Sequence, residues 1–266
     1  MTAMPTSAAG HRWPEYFIEA ALLAAFMVSA VAFTALLQYP ASPARHLLAN
    51  ATVRRGLTGL AMGLTAATII YSPWGRRSGA HINPSITLTY FRLGKIAPRD
   101  AAFYVLAQFA GAIAGLVAAS TVLRGVASSP EVNYVATIPG RAGTAAAFAA
   151  ETAISFGMMA TILTISNAPR LSRFTGVLAA CLVALYIAIE SPLSGMSMNP
   201  ARSFAPAVAS RTLATLWIYF VAPLAGMLLA AELYVRRHGH AAVRCAKLQH
   251  GSGACHFHCL FTARPS

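Results

Sequence analysis

Two asparagine–proline pairs are the residues whose types and spacing suggest chemistry. Each pair lies five positions after the serine of a Ser-Gly pair, and the two copies are 116 positions apart. Asparagine is a favoured helix N-cap and proline is tolerated at the first position of a helix, so each pair predicts a helix start. With the residue that follows each pair, the two motifs are Asn83, Pro84, Ser85 and Asn199, Pro200, Ala201.

The chemistry of these motifs depends on where the two helices meet. The run after each proline is long enough to cross half of a membrane. Two such half-helices meeting by their N-termini would place roughly half a positive charge each, and two amide donors, at the membrane midplane. Such a site would offer hydrogen-bond donors in a positive electrostatic environment. The alternative, in which each pair caps an ordinary short helix in a loop, is disfavoured because both copies stand at matching positions.

The segments before the two motifs predict a row of backbone acceptors. Ser78-Gly79 and Ser194-Gly195 lead into the motifs. Non-helical backbone at membrane depth is tolerated where it lines a water-filled cavity, so we expect their carbonyl groups to face one. The predicted acceptors are the carbonyls of Gly79, Ala80 and His81 and those of Gly195, Met196 and Ser197.

Arg202 is the one charged residue of the second motif loop. A charge at membrane depth costs about 2.5–3.5 kcal/mol on insertion scales, so it indicates a functional or pairing role. The first candidate role is to face the cavity that the motif loops line. The alternative is an arginine that extends to the membrane interface.

Six apolar stretches are the elements that must position these motifs. The 266 residues are 57% apolar and only 10% charged, whereas a soluble domain has about 25% charged residues, which excludes an ordinary cytosolic enzyme. Six stretches contain no Asp, Glu, Lys or Arg, and each approaches the roughly 20 residues that span a bilayer. We predict transmembrane helices at 20–44, 56–75, 101–123, 152–169, 174–189 and 212–231.

The two motifs belong to two halves of an internal repeat. Each half holds three predicted spans and one motif, at approximately 14–123 and 143–236. Because three is odd, the second half must be inverted relative to the first, and the motifs approach from opposite faces. The predicted fold is an all-α membrane protein with six transmembrane helices and two re-entrant half-helices. Residues 1–13 are predicted to form a cytoplasmic segment before the membrane domain, 14–236.

The basic residues predict the orientation of the chain. The net charge is +13, from 20 Lys and Arg against 7 Asp and Glu. With both termini in the cytoplasm, thirteen of the twenty basic residues fall on the cytoplasmic side, as the positive-inside rule prefers. We therefore expect an integral protein of the cell membrane (inner or plasma membrane) with both termini cytoplasmic. A nucleic-acid partner is disfavoured, because no basic stripe is interleaved with aromatic residues.

The sequence resembles the major intrinsic protein family, the aquaporins and aquaglyceroporins, over about residues 14–236. The most specific part of the resemblance is in two stretches, Ser-Gly-Ala-His-Ile-Asn-Pro and Ser-Met-Asn-Pro-Ala-Arg-Ser-Phe. The resemblance implies a right-handed bundle, a homotetramer in the lipid bilayer, and a passive channel for water and small neutral solutes. It implies that Asn83 and Asn199 bind the solute. It also implies that Glu19 and Glu151 hold the motif loops by accepting backbone hydrogen bonds.

Aligned on the motifs, the resemblance also implies a constriction formed by Met62, Ile187, Met196 and Arg202, with Gly63 as the alternative to Met62. It implies that the fixed cation of Arg202 repels cations and donates hydrogen bonds to a passing neutral solute, a role that we favour. Water-selective members usually carry Phe and His at the two helix positions, which are Met and Ile here. An apolar wall with one arginine resembles the plant nodulin-like branch and the solute-conducting members, so glycerol, urea or a neutral metalloid hydroxide are candidate solutes. The Ser directly after Arg202, where glycerol facilitators usually have Asp, favours water instead.

The last thirty residues, 237–266, differ in composition from the rest. They combine several His with Cys245, Cys255 and Cys259, and we predict a disordered cytoplasmic tail. Cys and His suit Zn²⁺ or Cu⁺, but the spacing fits no standard zinc finger, so no metal site is expected.

Other function classes are weighed against the channel. We find no Ser/His/Asp set, carboxylate pair or phosphate-binding glycine loop in the sequence, so we expect neither an enzyme nor a cofactor. A secondary transporter remains an alternative, since inverted repeats and broken helices occur there too. A non-conducting membrane scaffold also remains, because bulky Met side chains could close a pore.

Overall fold

Helices make up the regular structure of the described residues. The computed structural model describes residues 12–250 and 255–260, and within them α-helices and 3₁₀-helices occur without any strand. Expectations for residues 1–11, 251–254 and 261–266 fall outside the described part of the chain. The prediction of an all-α protein is confirmed.

Eight helices repeat one pattern twice. They are α1 (Trp13–Gln38), α2 (Ala51–Tyr71), α3 (Pro84–Arg92), α4 (Pro98–Leu123), α5 (Gly143–Ser166), α6 (Thr175–Ile189), α7 (Pro200–Ser210) and α8 (Leu216–His238). In each half, two long helices precede a half-length helix and a third long helix. Shorter helical segments lie between or after them: Pro43–Leu47, Pro73–Ser78, Gly125–Ser128, Asn133–Val135, Ser172–Phe174, Ser191–Ser194, Leu213–Thr215 and His240–Ala242. The expected two half-helices, α3 and α7, have nine and eleven residues.

The long helices have the dimensions of membrane spans. In the described residues, five stretches are both long and apolar enough to cross a membrane: Trp13–Gln38, Pro98–Leu123, Gly143–Ser166, Ser172–Ile189 and Leu213–His238. Helix α2 is less apolar, but its 21 residues are about 32 Å long, which also spans a hydrocarbon core. It packs along α6 inside the same bundle.

The two largest errors in the predicted helix starts have one physical reason. Helix α1 begins at Trp13 and α5 at Gly143, whereas the charge-free stretches began at 20 and 152. The omitted turns contain Glu19 and Glu151, which are fully buried inside the protein. A charge therefore lies within each of these helices because it faces the protein interior and not the lipid.

Helix pairing follows the repeat. Helix α1 packs on α4, α5 packs on α8, and α2 packs on α6 across the two halves. Glycines permit the close contacts: a Cβ on Gly111 would lie 2.1 Å from the carbonyl oxygen of Ala20, and one on Gly226 would lie 2.3 Å from that of Thr152. Small residues at helix interfaces are typical of membrane bundles, because they let backbones approach.

The outer surface of the bundle is apolar and carries tryptophans towards its ends. We call the end where α1 begins and α8 ends the inner end, and the opposite end the outer end. Trp13 and Trp74 lie towards the inner end and Trp217 towards the outer end, and all three are exposed. Tryptophan is enriched at membrane interfaces. Exposed aliphatic side chains between these ends include Leu36, Leu64, Leu106, Val117, Leu185 and Leu229.

The C-terminal segment is ordered in its described parts, unlike the disordered tail that we predicted. Val243, Leu248 and Phe257 are buried in the same core cluster as the bundle helices. The prediction considered the Cys and His content of the segment and overlooked these apolar residues, which pack against the bundle. Burial and the nearby positive charge of Lys247 lower the pKa of His256 to about 3, so its imidazole is neutral in this packed state.

Candidate functional site

A cavity of about 570 Å³ lies between the helices and is lined by both halves of the repeat. Its lining includes Thr34 and Gln38 towards the outer end and Ile70 and Ile162 towards the inner end. The predicted site residues in this lining are Met62, Ala80, His81, Asn83, Ile187, Gly195, Met196, Ser197, Asn199 and Arg202. The cavity therefore gathers most of the predicted site residues around one space.

The two asparagines are cross-linked through the opposite loops. The Asn83 amide nitrogen donates to the carbonyl oxygen of Met198 at 2.7 Å, and the Asn199 amide nitrogen donates to that of Ile82, also at 2.7 Å. Each side-chain oxygen caps its own half-helix by accepting from backbone N–H groups of the first turn, such as that of Ser85. An amide nitrogen carries two N–H groups. The cross-link uses one of them, and both asparagines line the cavity.

The remaining motif residues are buried at the starts of the two half-helices. Pro84, Ser85, Pro200 and Ala201 are buried at the starts of α3 and α7. Both prolines stand at the first helical position, where no N–H is needed. They therefore fix the half-helix starts, while the asparagines face the cavity.

The two loops before the half-helices have the same unusual backbone. In each loop the first, second and fourth residues have positive φ values: 103°, 54° and 39° in Gly79, Ala80 and Ile82, and 83°, 49° and 56° in Gly195, Met196 and Met198. Outside glycine this conformation costs about 1–2 kcal/mol per residue. Loops with such strain need strong partners to hold them.

Glu19 supplies those partners in the first loop. Its carboxylate accepts hydrogen bonds from the Ser78 hydroxyl at 2.7 Å, the His81 N–H at 3.1 Å and the Ile82 N–H at 2.6 Å. The Gln108 side chain also donates to it, at 2.9 Å. Hydrogen bonds to a charged acceptor are roughly twice as strong as neutral ones, which offsets the loop strain.

Glu151 repeats this arrangement in the second loop. It accepts from the Ser194 hydroxyl at 2.7 Å, the Ser197 N–H at 2.7 Å and the Met198 N–H at 2.8 Å. At the position matching Gln108, the second half has Pro223, which has no amide to donate. The second loop is therefore held by one donor fewer than the first.

Arg202 lies in the first turn of α7 and lines the cavity. Its guanidinium donates to the carbonyl oxygen of Val135 at 3.0 Å. Val135 belongs to the connection between α4 and α5 and itself has a φ of 56°. This partner could not be predicted from the sequence, because a backbone carbonyl is present in every residue whatever its side chain.

The two candidates on α2 face different sides of the helix. Met62 lines the cavity, whereas a Cβ on Gly63 would lie 2.7 Å from the carbonyl oxygen of Ala180 on α6. Gly63 therefore faces the neighbouring helix, and its lack of a side chain allows α2 and α6 to approach. Ile187 lines the cavity from α6.

The C-terminal segment covers the inner end of the cavity. Leu248 lines the cavity, and its N–H donates to the carbonyl oxygen of Gly79 at 3.1 Å. The His81 ring is fully buried, contacts the Ala246 carbonyl at 2.8 Å and stacks on Phe257 with 5.3 Å between ring centroids. The predicted acceptor at Gly79 is thus bonded to the tail and lies outside the described lining of the cavity.

Comparisons with known proteins agree with this geometry. The sequence model of the family described as "Major intrinsic protein" matches residues 13–234. Aquaporin NIP1-4 of Oryza sativa subsp. japonica is 35% identical over 176 residues, which are 66% of this chain and 62% of the relative. Aquaporin-4 of Mus musculus is 35% identical over 186 residues, 67% of this chain and 55% of the relative. The chain thus spans about three fifths of the length of these relatives.

A solved structure has the same fold. The X-ray structure of the aquaglyceroporin from Plasmodium falciparum superposes with a TM-score of 0.67 at 18% sequence identity, covering 84% of this chain and 95% of that chain. At this identity the likeness concerns the fold. Since the family's sequence model covers most of the chain and the helices repeat as two inverted halves, this chain belongs to the major intrinsic protein family.

Proposed function

We propose that the chain forms a passive channel for water and small uncharged solutes. The observation that carries this proposal is the pair of asparagine amides at the starts of two opposed half-helices, both lining one cavity between the repeats. Relatives named aquaporins support it. An enzyme does not fit, since the family consists of channels.

The solute in this proposal exchanges hydrogen bonds along the cavity. Its oxygen accepts from the second N–H groups of Asn83 and Asn199, while loop carbonyls accept its hydrogens. The half-helix N-termini add roughly half a positive charge each, which opposes protons and other cations at the same point. Neutral molecules pass because they need no counter-charge.

Selection among neutral solutes would occur beside Arg202. Met62, Ile187 and Met196 supply apolar walls around the cavity, and the guanidinium supplies a fixed cation with hydrogen-bond donors. This chemistry suits water and also glycerol, urea or a neutral metalloid hydroxide. Glu19 and Glu151 would keep the loop carbonyls aligned without touching the solute.

The setting of the channel is part of the proposal. The apolar outer surface fits a lipid bilayer, and we propose a homotetramer in the cell membrane. The positive-inside rule assigns the inner end to the cytoplasm. Arg12, which precedes α1, donates to the backbone carbonyl of His256, so both described ends of the chain lie at the inner end, as this topology needs.

Stopped-flow light scattering on proteoliposomes tests the proposal. Vesicles with the full chain are challenged with sucrose, glycerol or urea gradients and compared with empty vesicles. We expect water flux with a low activation energy, and solute flux that does not saturate. Saturable flux driven by a proton or sodium gradient would identify a transporter. The absence of flux, both in the wild type and in a variant with a weakened tail contact (Leu248→Ala/Phe257→Ala), would identify a non-conducting scaffold.

A further inference from the structure

Three thiols of the C-terminal segment lie together at the inner end. The sulfur atoms of Cys245, Cys255 and Cys259 all lie within 4.8 Å of one another, and those of Cys245 and Cys255 are 3.4 Å apart. Cys245 is buried and the other two are half-buried. Three cysteines of one segment have thus converged although 14 positions separate the first from the last.

The spacing of the sulfurs fits a metal ion. A metal–sulfur distance of about 2.3 Å places the sulfurs of a trigonal or tetrahedral site about 3.8–4.0 Å from one another. One separation is 3.4 Å and the others are at most 4.8 Å, so small side-chain rotations suffice. Thiolates without oxygen ligands select soft ions, chiefly Cu⁺ and Zn²⁺.

Backbone groups and a cation lie beside the thiols, although without an ion the neighbouring thiols and burial keep the pKa values of Cys245 and Cys255 above the ordinary value of a thiol. The backbone of Lys247 forms a hydrogen bond with the Cys245 sulfur, and that of Phe257 forms one with the Cys255 sulfur. The Lys95 ammonium is buried and interacts with the charges of Cys245 and Cys259. Nearby cations and N–H donors are what three thiolates need, since their charge exceeds that of the ion they bind.

The same segment closes the inner end of the cavity. Ala246 directly follows the first cysteine and contacts the His81 ring, and Leu248 follows two positions later and bonds to Gly79. Phe257 lies between the other two cysteines and stacks on His81. An ion that ties the three cysteines together therefore also fixes the residues that cover the first motif loop.

We propose that Cys245, Cys255 and Cys259 form a site for a soft d¹⁰ ion, Cu⁺ or Zn²⁺, and that the bound ion holds the C-terminal segment across the inner end of the cavity. Each thiol releases its proton to solvent as its sulfur–metal bond forms, and no redox step is involved. The ion-binding part stands by itself. The effect on permeation rests on the proposed channel function.

Metal binding is measured on the reduced, tag-free full chain in detergent. Zn²⁺ alone, or Cu⁺ generated with ascorbate, is added, excess ion is removed by gel filtration, and the metal content is read by mass spectrometry. Competition with a chromophoric chelator gives the affinity. We expect one ion per chain for the wild type and for Cys181→Ser, the matched control on α6. Each of Cys245→Ser, Cys255→Ser and Cys259→Ser should bind at least tenfold more weakly.

Three results would overturn the ion site. They are no binding by the reduced wild type, undiminished binding by the triple serine variant, and a Cys245–Cys255 disulfide that persists under reducing conditions. Gel-filtration profiles and helical circular dichroism show that each variant is folded. The ratio of Zn²⁺ to Cu⁺ affinity then identifies the preferred ion.

Permeation is measured with the ion present during reconstitution, so that both faces of the membrane are exposed to it. We expect the ion to slow water flux several-fold in the wild type and in Cys181→Ser, with no effect in the triple serine variant. Binding without any change of flux in a conducting protein would overturn the closure. No flux in any variant would instead contradict the proposed channel, while the binding result would stand.

Discussion

The backbone N–H of Leu248 donates a hydrogen bond to the carbonyl oxygen of Gly79, with 3.1 Å between nitrogen and oxygen. Gly79 begins the first motif loop, so a residue from the end of the chain occupies the acceptor nearest the inner end. This carbonyl oxygen is thus bonded to the tail and does not line the cavity. The state in the structure is therefore one in which the inner end is covered.

Weakening that contact is expected to increase permeation. Leu248→Ala combined with Phe257→Ala removes two buried side chains, each worth about 1.5–3 kcal/mol of burial. A loss of about 3 kcal/mol favours the undocked tail by roughly 100-fold. Stopped-flow water flux should rise in this variant and stay at the wild-type rate in Leu260→Ala, whose side chain is exposed. Equal rates in all three proteins would refute the covering role of the tail.

Glu151→Gln is expected to destabilise the second loop. One glutamine atom becomes a donor and faces either the Met198 N–H or the Ser194 and Ser197 donors, so at least one charged hydrogen bond is lost. Such a bond contributes about 1.5–3 kcal/mol. The Tm in detergent should fall by several degrees. Glu232→Gln is the control, because its ion pairs are exposed and worth at most about 1 kcal/mol; equal Tm values for the two variants would contradict this role.

Arg202→Ala is expected to relax selection. Removing the guanidinium deletes the fixed cation and enlarges the cavity at the proposed constriction. Glycerol and urea flux should rise relative to water flux, and cation leakage should increase. The control is Arg211→Ala, an exposed arginine at the end of the same half-helix. Unchanged flux ratios and leakage in Arg202→Ala would remove this residue from the selectivity site.

Asn83→Asp is expected to admit cations. The change replaces an amide donor by a carboxylate oxygen opposite the Met198 carbonyl, and it offsets the positive helix N-termini. Proton leakage, followed with a pH-sensitive dye inside the vesicles, should increase at least severalfold. Asn50→Asp is a matched control, since Asn50 caps α2 through its oxygen alone and aspartate caps equally well. Leakage as low as that of the wild type would contradict the proposed barrier.

Gly111→Ala is expected to separate α1 from α4. Its Cβ would lie 2.1 Å from the Ala20 carbonyl oxygen, next to the loop-holding Glu19. Overpacking of this kind costs about 1–3 kcal/mol. Both Tm and water flux should fall. The same substitution at Gly125 meets no atom within 4 Å and should leave both unchanged; a Gly111→Ala protein with wild-type values would refute the close contact.

Features that depend on local chemistry could be predicted from the sequence. Helix starts at Pro84 and Pro200 follow from N-capping by the preceding asparagines, which needs no knowledge of the fold. The repeat and the number of long helices follow from apolar stretches. Even there, the starts of α1 and α5 were missed, because a buried glutamate interrupts a charge-free stretch.

Features that depend on distant contacts could not be predicted. Arg202 donates to the backbone carbonyl of Val135, and a backbone contact of this kind does not depend on the type of the accepting residue. The tail is ordered by the inner end of the cavity, and its three cysteines converge through contacts with the first motif loop and not through a core of their own. Whether Met62 or Gly63 faces the cavity depends on which side of α2 packs on α6, and the sequence does not show this.

The hydrogen bond from Asn83 to Met198 also has a consequence for the order in which the protein is made and assembled. Asn83 and its partner Met198 are 115 positions apart, and one stands in each half of the chain. While a ribosome is still translating the second half, the first four helices are already made, but Asn83 still lacks the Met198 carbonyl that accepts its hydrogen bond. Both halves must therefore be synthesised before this contact, and the cavity that both asparagines line, can form.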